Sequence, residues 1–524
     1  MYRCKLPLVS VALAVLSLSG CSDRYSQSEG DADTAATLTQ GSTDDENDEH
    51  SDSGDECKAD ADCADHPNGP VCDEAVGLCF PECEPGDTDE CYDGPAATEG
   101  IGVCAAGSAT CSEVGTWGEC VGSTLPGAEL CGNDIDENCD GSLLAEDKDG
   151  DGWTTCDGDC CDDELLGCID AHLVNPGAFE VEGNEVDDDC DGTIDEVEPS
   201  CDAGLASDAG DPLAFAAALD LCQTTVTNAP LAERTWGVIS ADLTLADGGG
   251  APLPVQHAIR TAFGDQISPS GGDSLVVLST GHAAAPGQTN PAFAAFESGE
   301  NLGTSVDAPA DWVAANGGEF PATGCAGENP SDNTDANDSV MLSLRVRVPT
   351  NARSFTARMF FFSAEYPEWV CSEYNDFFVA LIDSDAEDNP ATKNIAVFDN
   401  DGDLVPVGLN ILKTAPALFA VCESGNVGCQ GDLPAAPHSC DAGPAQLAGT
   451  GFDAIDGSQS CNGNGFPVGG ATGWLEMSGN VEPGEIMDIR FAVWDAGGHL
   501  FDALVLLDDW QWSLDAAAPG VDIP

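Results

Sequence analysis

Positive charge is what this sequence most lacks. Its 524 residues carry 95 Asp and Glu against 14 Lys and Arg, for a formal net charge of -81. Between Arg24 and Arg234 the only basic residues are Lys58 and Lys148. Such a field repels nucleic acid and anionic lipid and attracts divalent cations. Histidine is scarce too, and His257, His282, His438 and His499 are scattered singles. No Gly-x-Ser-x-Gly elbow, His-Glu-x-x-His helix or phosphate loop is present, which removes the commonest hydrolase, zinc-protease and nucleotide-binding classes. Glu365 and Glu368 could imitate a glycosidase acid pair, but they are close neighbours in a strand-to-loop transition, with nothing placing them across a sugar. The chain is expected not to be an enzyme.

Long apolar runs are missing apart from Leu6–Leu18, which is too short to span a bilayer. Behind Arg3 and Lys5 it has the form of a signal h-region. It ends Leu18-Ser19-Gly20-Cys21, which resembles a bacterial lipobox. The resemblance implies a signal peptide over 1–20, a lipidated N-terminus at Cys21 and a partner in the membrane itself. Ser22 in place of Asp, by resemblance to Gram-negative sorting, directs the chain to the outer membrane and the cell surface. Residues 21–56 hold Ser, Thr, Gly, Asp and Glu with little to bury, and are expected to form a disordered acidic tether.

Cysteine is the residue present in excess, 26 in all. Setting aside Cys4 and Cys21 leaves an even number, without the CxxC or His spacing that zinc requires. Disulfides in an oxidising compartment follow. Residues 57–130 read as disulfide modules rich in loops, and residues 131–200 as an acidic module with 24 acids and one Lys.

That module is written around a repeated motif. Pro126-Gly-Ala-Glu runs on to Asn133-Asp-Ile-Asp-Glu-Asn-Cys-Asp-Gly141, and Pro176-Gly-Ala-Phe-Glu runs on to Asn184-Glu-Val-Asp-Asp-Asp-Cys-Asp-Gly192. Between them lies Asp147-Lys-Asp-Gly-Asp-Gly-Trp153. Carboxylates at alternate positions closed by glycine suit a hard cation, because the oxygens converge while glycine permits the turn. The candidate ligands are Asp134, Asp136 and Asp140 in the first copy, and Asp187, Asp189 and Asp191 in the second. The central loop offers Asp147, Asp149, Asp151 and the Trp153 carbonyl. The twelfth position of that loop is Gly158 rather than Glu, so Asp157 or Asp159 would have to reach in. The loop resembles the structural calcium loops of dockerins and thrombospondin type 3 repeats.

Residues 126–196 as a whole resemble the repeat family named for the copper-binding surface protein MopE. Its elements stand here as Asp147–Gly152, Asp159-Cys160-Cys161-Asp162-Asp163, Pro176–Glu180 and Cys190-Asp191-Gly192. Two departures are an extra cysteine in the second element and Glu182 where the first copy has Cys131. Cys131 and Cys139 can pair locally, whereas Cys190 must find another partner, such as Cys160, Cys161 or Cys201. The family name implies copper, but all-oxygen ligands with His172 as the only imidazole favour calcium.

From about residue 201 strands dominate. Asp211-Pro212 can begin a short helix through Leu213, Phe215 and Leu219. In Val340–Val348, Val340, Leu342, Leu344, Val346 and Val348 face one side while Arg345 and Arg347 face the other. Ser354–Phe362, Phe377–Ile382, Ile395–Phe398, Asp488–Trp494 and Ala503–Leu507 read as further strands, and together they predict a β-sandwich over 201–524. Phe360–Trp369 with Tyr374–Phe378, Ser274–Gly281 and Trp494–Asp502 resemble the choice-of-anchor L family, β-rich domains of bacterial surface proteins. Ala364, Gly498 and Ala503 depart from its pattern. Glu365, Asn375, Asp376, Asp495 and Asp502 could then share a second cation or hold loops at the sandwich edge.

The fold class expected is mainly β, a C-terminal sandwich preceded by disulfide-rich, loop-dominated acidic metal-binding modules. The function expected is a lipid-anchored surface protein whose calcium-stabilised stalk displays the sandwich to a surface protein or polysaccharide for adhesion. Surface capture of copper is the alternative, and an extracellular hydrolase the weaker one.

Overall fold

The structure is a computed structural model. It describes 71–73 and 78–524, apart from 128, 132, 143–146, 163–169, 198–199, 297–300, 322–324, 326–333, 373, 431–433 and 456–460. The signal peptide, Cys21 and the tether expected over 21–56 lie outside the described residues. No described helix is long and apolar enough to cross a membrane. The chain divides into two units, one of 1–86 with 111–117, the other of 87–110 with 118–524. In the first, short strands Val71–Asp73 and Leu78–Phe80 pair antiparallel, and Cys83–Cys111 staples the unit.

In the second unit, Thr88–Cys91 and Gly107–Thr110 form a small hairpin next to the Cys91–Cys120 bridge. The acidic module follows with almost no regular structure. It is held by Cys104–Cys139, Cys131–Cys156 and Cys160–Cys190. The expected pairing of Cys131 with Cys139 is therefore corrected. Cys139 and Cys190 both sit at left-handed φ, 61° and 59°, just before the last aspartate of their loops. Each is bound outside its own copy, Cys139 to a cysteine upstream of its copy and Cys190 to one between the copies. Cys190 joins Cys160, one of the three partners left open for it.

The sandwich is built from twelve strands: β1 Gly237–Thr244, β2 His257–Arg260, β3 Leu275–Ser279, β4 Ser305–Asp307, β5 Asp335–Arg347, β6 Ser354–Ser363, β7 Phe377–Asp383, β8 Gly470–Ala471, β9 Leu475–Asn480, β10 Ile486–Ala496, β11 Ala503–Ser513 and β12 Gly520–Asp522. One sheet runs β12-β9-β6-β11-β3-β2, with β8 also on β6. The other runs β7-β10-β5-β1, with β4 also on β5. All these pairs are antiparallel.

Side-chain alternation explains the layers. Val340, Leu342, Leu344 and Val346 of β5 meet Phe361, Met359, Val505 and Leu507 of the opposite sheet in the central core. Phe360 and Phe362 point the other way, into a second core with Phe296, Leu447 and Phe452. Met341, Phe377 and Trp494 enter a third under Trp312 and Phe320. Both sheets are thus apolar on two faces, and all three phenylalanines of Phe360–Phe362 are fully buried. The expected helix is Leu213–Ala217, where the Leu213 N–H donates to the Asp211 carboxylate at 3.1 Å.

Candidate metal centre

The two copies of the acidic motif share a set of hydrogen bonds. Glu129 Oε2 accepts from the Glu137 N–H at 3.1 Å, and Glu180 Oε2 accepts from the Asp188 N–H at 3.1 Å. Asn133 Oδ1 accepts from the Ile135 N–H, and Asn184 Oδ1 from the Val186 N–H, both at 2.8 Å. The Gly141 N–H donates to Asp136 and the Gly192 N–H to Asp187, at 3.0 and 3.1 Å. The central loop obeys the same rule, since the Gly152 N–H donates to Asp147 Oδ2 at 3.1 Å and the Trp153 N–H to Asp151 Oδ1 at 2.7 Å. Gly141, Gly152 and Gly192 have φ of 89°, 98° and 95°, a backbone that side chains resist and the sharp turn requires. Three loops of one geometry, starting at Asp136, Asp147 and Asp187, therefore lie in series.

Carboxylate oxygens converge in the second and third loops. Asp147, Asp149 and Asp162 come within 4.8 Å of one another, and so do Asp149, Asp151 and Asp159. In the second copy Glu180, Asp187 and Asp189 converge, as do Asp189, Asp191 and Glu196. Asp149 Oδ2, Asp159 Oδ2, Asp187 Oδ1 and Glu196 Oε2 are buried without a hydrogen-bond partner. Each of these clusters holds an oxygen that the protein leaves unmatched.

The electrostatics agree. Burial, with Asp149 and Asp147 nearby, pushes the Asp151 carboxyl up to about 6. Burial, with Asp151, Asp149 and Asp162 nearby, pushes Asp159 to about 7. Glu180 rises to about 7 from burial and the charges of Glu196 and Asp188, although the Asp195 and Asp188 N–H groups oppose the shift. Asp189 rises to about 6 for the same kind of reason. Carboxylates crowded in this way are costly until a cation joins them.

The other expected ligands divide. Asp159 reaches the central loop, whereas Asp157 is turned to the Thr154 hydroxyl at 2.7 Å. Asp134 is exposed and enters no described cluster. Asp140 accepts from Asn138 and lies 3.6 Å from the Lys148 ammonium. Asp136 keeps Oδ1 buried and unpartnered, as Glu129 keeps Oε1. The first loop thus repeats the Glu180–Asp187 pair, but Asn138 stands where the second copy has Asp189. Trp153 has its ring buried, with Nε1 donating to the Leu231 carbonyl at 3.3 Å. Glu129, Glu180, Glu196, Asn138 and Asp162 were not among the expected ligands. The Asp–x–Asp/Asn–x–Asp–Gly spacing shared by all three loops, with the Pro-Gly-Ala glutamate upstream of the first and third, was the signal that could have found Glu129, Glu180 and Asn138.

The module is docked on the sandwich. The Thr350 N–H donates to the Gly177 carbonyl at 2.9 Å and the Thr350 hydroxyl to Asn175 Oδ1 at 2.6 Å. Asn351 brackets Phe179, accepting its N–H and donating to its carbonyl, both at 2.9 Å. Asn175 also donates to Asp151 Oδ2 at 2.7 Å, so one residue touches both the central loop and the docking contact.

The donor chemistry fits a hard divalent cation. The clusters are all oxygen, and Cys131, Cys139, Cys156, Cys160 and Cys190 are consumed in disulfides and cannot serve as thiolates. Cys422, His438 and Cys440 also lie close together, but those cysteines are bonded to each other.

Fold and site together define a stapled acidic metal-binding module carried on a β-sandwich. Residues 262–511 match the family model of the choice-of-anchor L domain, and residues 126–143 and 168–196 match the model named Cu-binding MopE, described as a metal-binding motif. The chain therefore carries a choice-of-anchor L domain behind a MopE-type motif. The central loop from Asp147 to Asp162 lies between the two matched segments of that motif. No curated protein and no solved structure matches the chain.

Proposed function

We propose that this is a lipid-anchored outer-membrane protein, tethered through Cys21, whose calcium-loaded acidic module braces and displays a β-sandwich at the cell surface. The carrying observation is the set of convergent carboxylates with unpartnered buried oxygens, placed in loops that hydrogen-bond directly to the sandwich through Thr350 and Asn351. The docking makes the module a rigid collar on the sandwich rather than a separate, swinging stalk. The role is mechanical and adhesive, toward a protein or polysaccharide partner, and not enzymatic.

Copper capture is the second reading. It is favoured by the family name of the motif and by His172, which acts on Asp149. Metal analysis of the chain purified without added ions separates the two. Calcium near stoichiometric with the loops supports the brace, and stoichiometric copper overturns it. Protease treatment of intact cells tests display, since release of fragments from 201–524 is expected from wild type and not from a Cys21→Ser chain.

A further inference from the structure

A second group of acids lies far from the loops, at one end of the sandwich. Glu365 follows β6 and Asp502 precedes β11, both from one sheet. Asp376 precedes β7 and Asp495 lies near the end of β10, both from the other. Exposure is 3% for Glu365, 1% for Asp376, 1% for Asp495 and 2% for Asp502. Packing here is close, because a Cβ on Gly281 would fall 2.0 Å from an Asp502 carboxylate oxygen.

Three of these carboxylates are under-satisfied. Asp495 has no hydrogen-bond partner on either oxygen, although the Thr280 hydroxyl is near enough to steady its charge. That hydroxyl is itself directed to the Ala503 carbonyl at 3.4 Å. Asp376 uses Oδ1 for the Ala496 N–H at 3.2 Å and leaves Oδ2 unmatched, and Glu365 leaves Oε2 unmatched. Burial raises all three well above the usual carboxylate range, neighbouring acids add to the shift at Glu365 and Asp495, and no Lys or Arg is among the described groups acting on them. Protonation satisfies them only in part, because a carboxylic acid is itself a donor that needs an acceptor. Asn375 takes no part, as its Oδ1 accepts from the Asn410 N–H at 2.9 Å.

Glu365, although buried, also reaches a surface pocket. It lines a pocket of about 300 Å³ with Trp369, Tyr374, His499, Leu500 and Phe501. Trp369 packs edge-on against Tyr374 at 5.1 Å and lies 6.0 Å from Phe501. An ion can therefore reach the buried acids from the surface past Glu365.

We propose that Glu365, Asp376 and Asp495 hold a hard divalent cation between the two sheets, at the floor of the pocket walled by Trp369, Tyr374 and Phe501. The ion supplies the counter-charge that the fold does not, and it ties the end of one sheet to the other. The three do not close to the 4.8 Å mutual spacing of the loop clusters. The site accordingly fills after the loops, in the roughly millimolar range typical of extracellular calcium modules.

Calcium itself is the probe. The full chain and its Asp495→Asn and Glu365→Gln variants are dialysed against calcium at about 5 mM, above that range, and bound calcium is counted. Melting is then followed in calcium and in chelator. Each variant is expected to bind one calcium fewer per chain. Each should also melt lower than the parent in calcium but higher in chelator, where one repelling charge has gone. An unchanged count, or a shift of the same sign in both media, overturns the proposal. Reading Glu365→Gln alone suffices if Asp495→Asn does not fold. An Asp189→Asn chain keeps this crossing, so failure of the loops to bind calcium and failure of this site are told apart.

Discussion

Replacing Trp153 by alanine separates docking of the acidic module from its loading. The Trp153 side chain is only 5% exposed. Its ring lies so close over Gly177 that an added Cβ there would stand 2.9 Å from the ring tip and from Thr350 Cγ2. Truncating a buried tryptophan costs about 3–5 kcal/mol, a figure that includes the hydrogen bond to Leu231, itself worth about 1 kcal/mol. The loop carboxylates are untouched, so the calcium count should stay at the wild-type value. The docking contact, in contrast, should open far more often. At about 1.4 kcal/mol per decade, a loss near 4 kcal/mol raises the open fraction roughly a thousand-fold. Amide exchange over 175–180 in calcium reads this directly, with Trp153→Phe expected to recover most of the protection. Wild-type protection of 175–180 in the alanine variant would refute the reasoning, because the ring would then contribute nothing to docking.

Other outcomes follow from the same structure. Serine at both Cys160 and Cys190 removes a bridge spanning 30 residues, which in the chain-entropy picture costs about 3–4 kcal/mol. The module is then expected to release calcium at lower chelator concentrations than wild type, and equal retention would count against the staple. A pH effect is expected in the sandwich. Burial raises Asp508 to about 7, against the Ser270, Gly271 and Asp509 N–H groups it accepts from and with Asp220 nearby. It raises Asp220 to about 6, with Asp202 and Asp509 adding to the shift. Groups raised in this way contribute stability that is present below about pH 4 and lost as pH rises through 6 to 7. Melting temperature in chelator should fall between about pH 4 and 7, and Asp508→Asn should flatten the upper part of that fall.

The strands were legible because alternation is a local signal. Val340 to Val348 announced its buried face, and Ser354–Phe362 and Phe377–Ile382 stand within a residue of their observed bounds. Burial of both outer sheet faces was less legible, because the covering residues Trp312, Phe320, Phe296 and Phe452 lie in loops and one short helix far from the strands in sequence. At the metal loops the alternating aspartates were visible, since their spacing is local. Glu180 and Glu196 were not, because they reach the loop from outside its Asp-x-Asp-x-Asp core. Disulfide pairing was legible only in part. Spacing allowed Cys131 to pair with Cys139, but Cys139 is bonded to Cys104 and Cys131 to Cys156.

Hydrogen exchange across residues 147–196, with calcium and then with a calcium chelator, tests the central claim most directly. A cation-braced module docked on the sandwich should show strong protection of the Gly152, Trp153, Asp191 and Gly192 amides in calcium. That protection should be lost on chelation while β5, β6 and β10 stay protected. Equal protection of the loop amides in both media would contradict the account, since the loops would then stand without an ion.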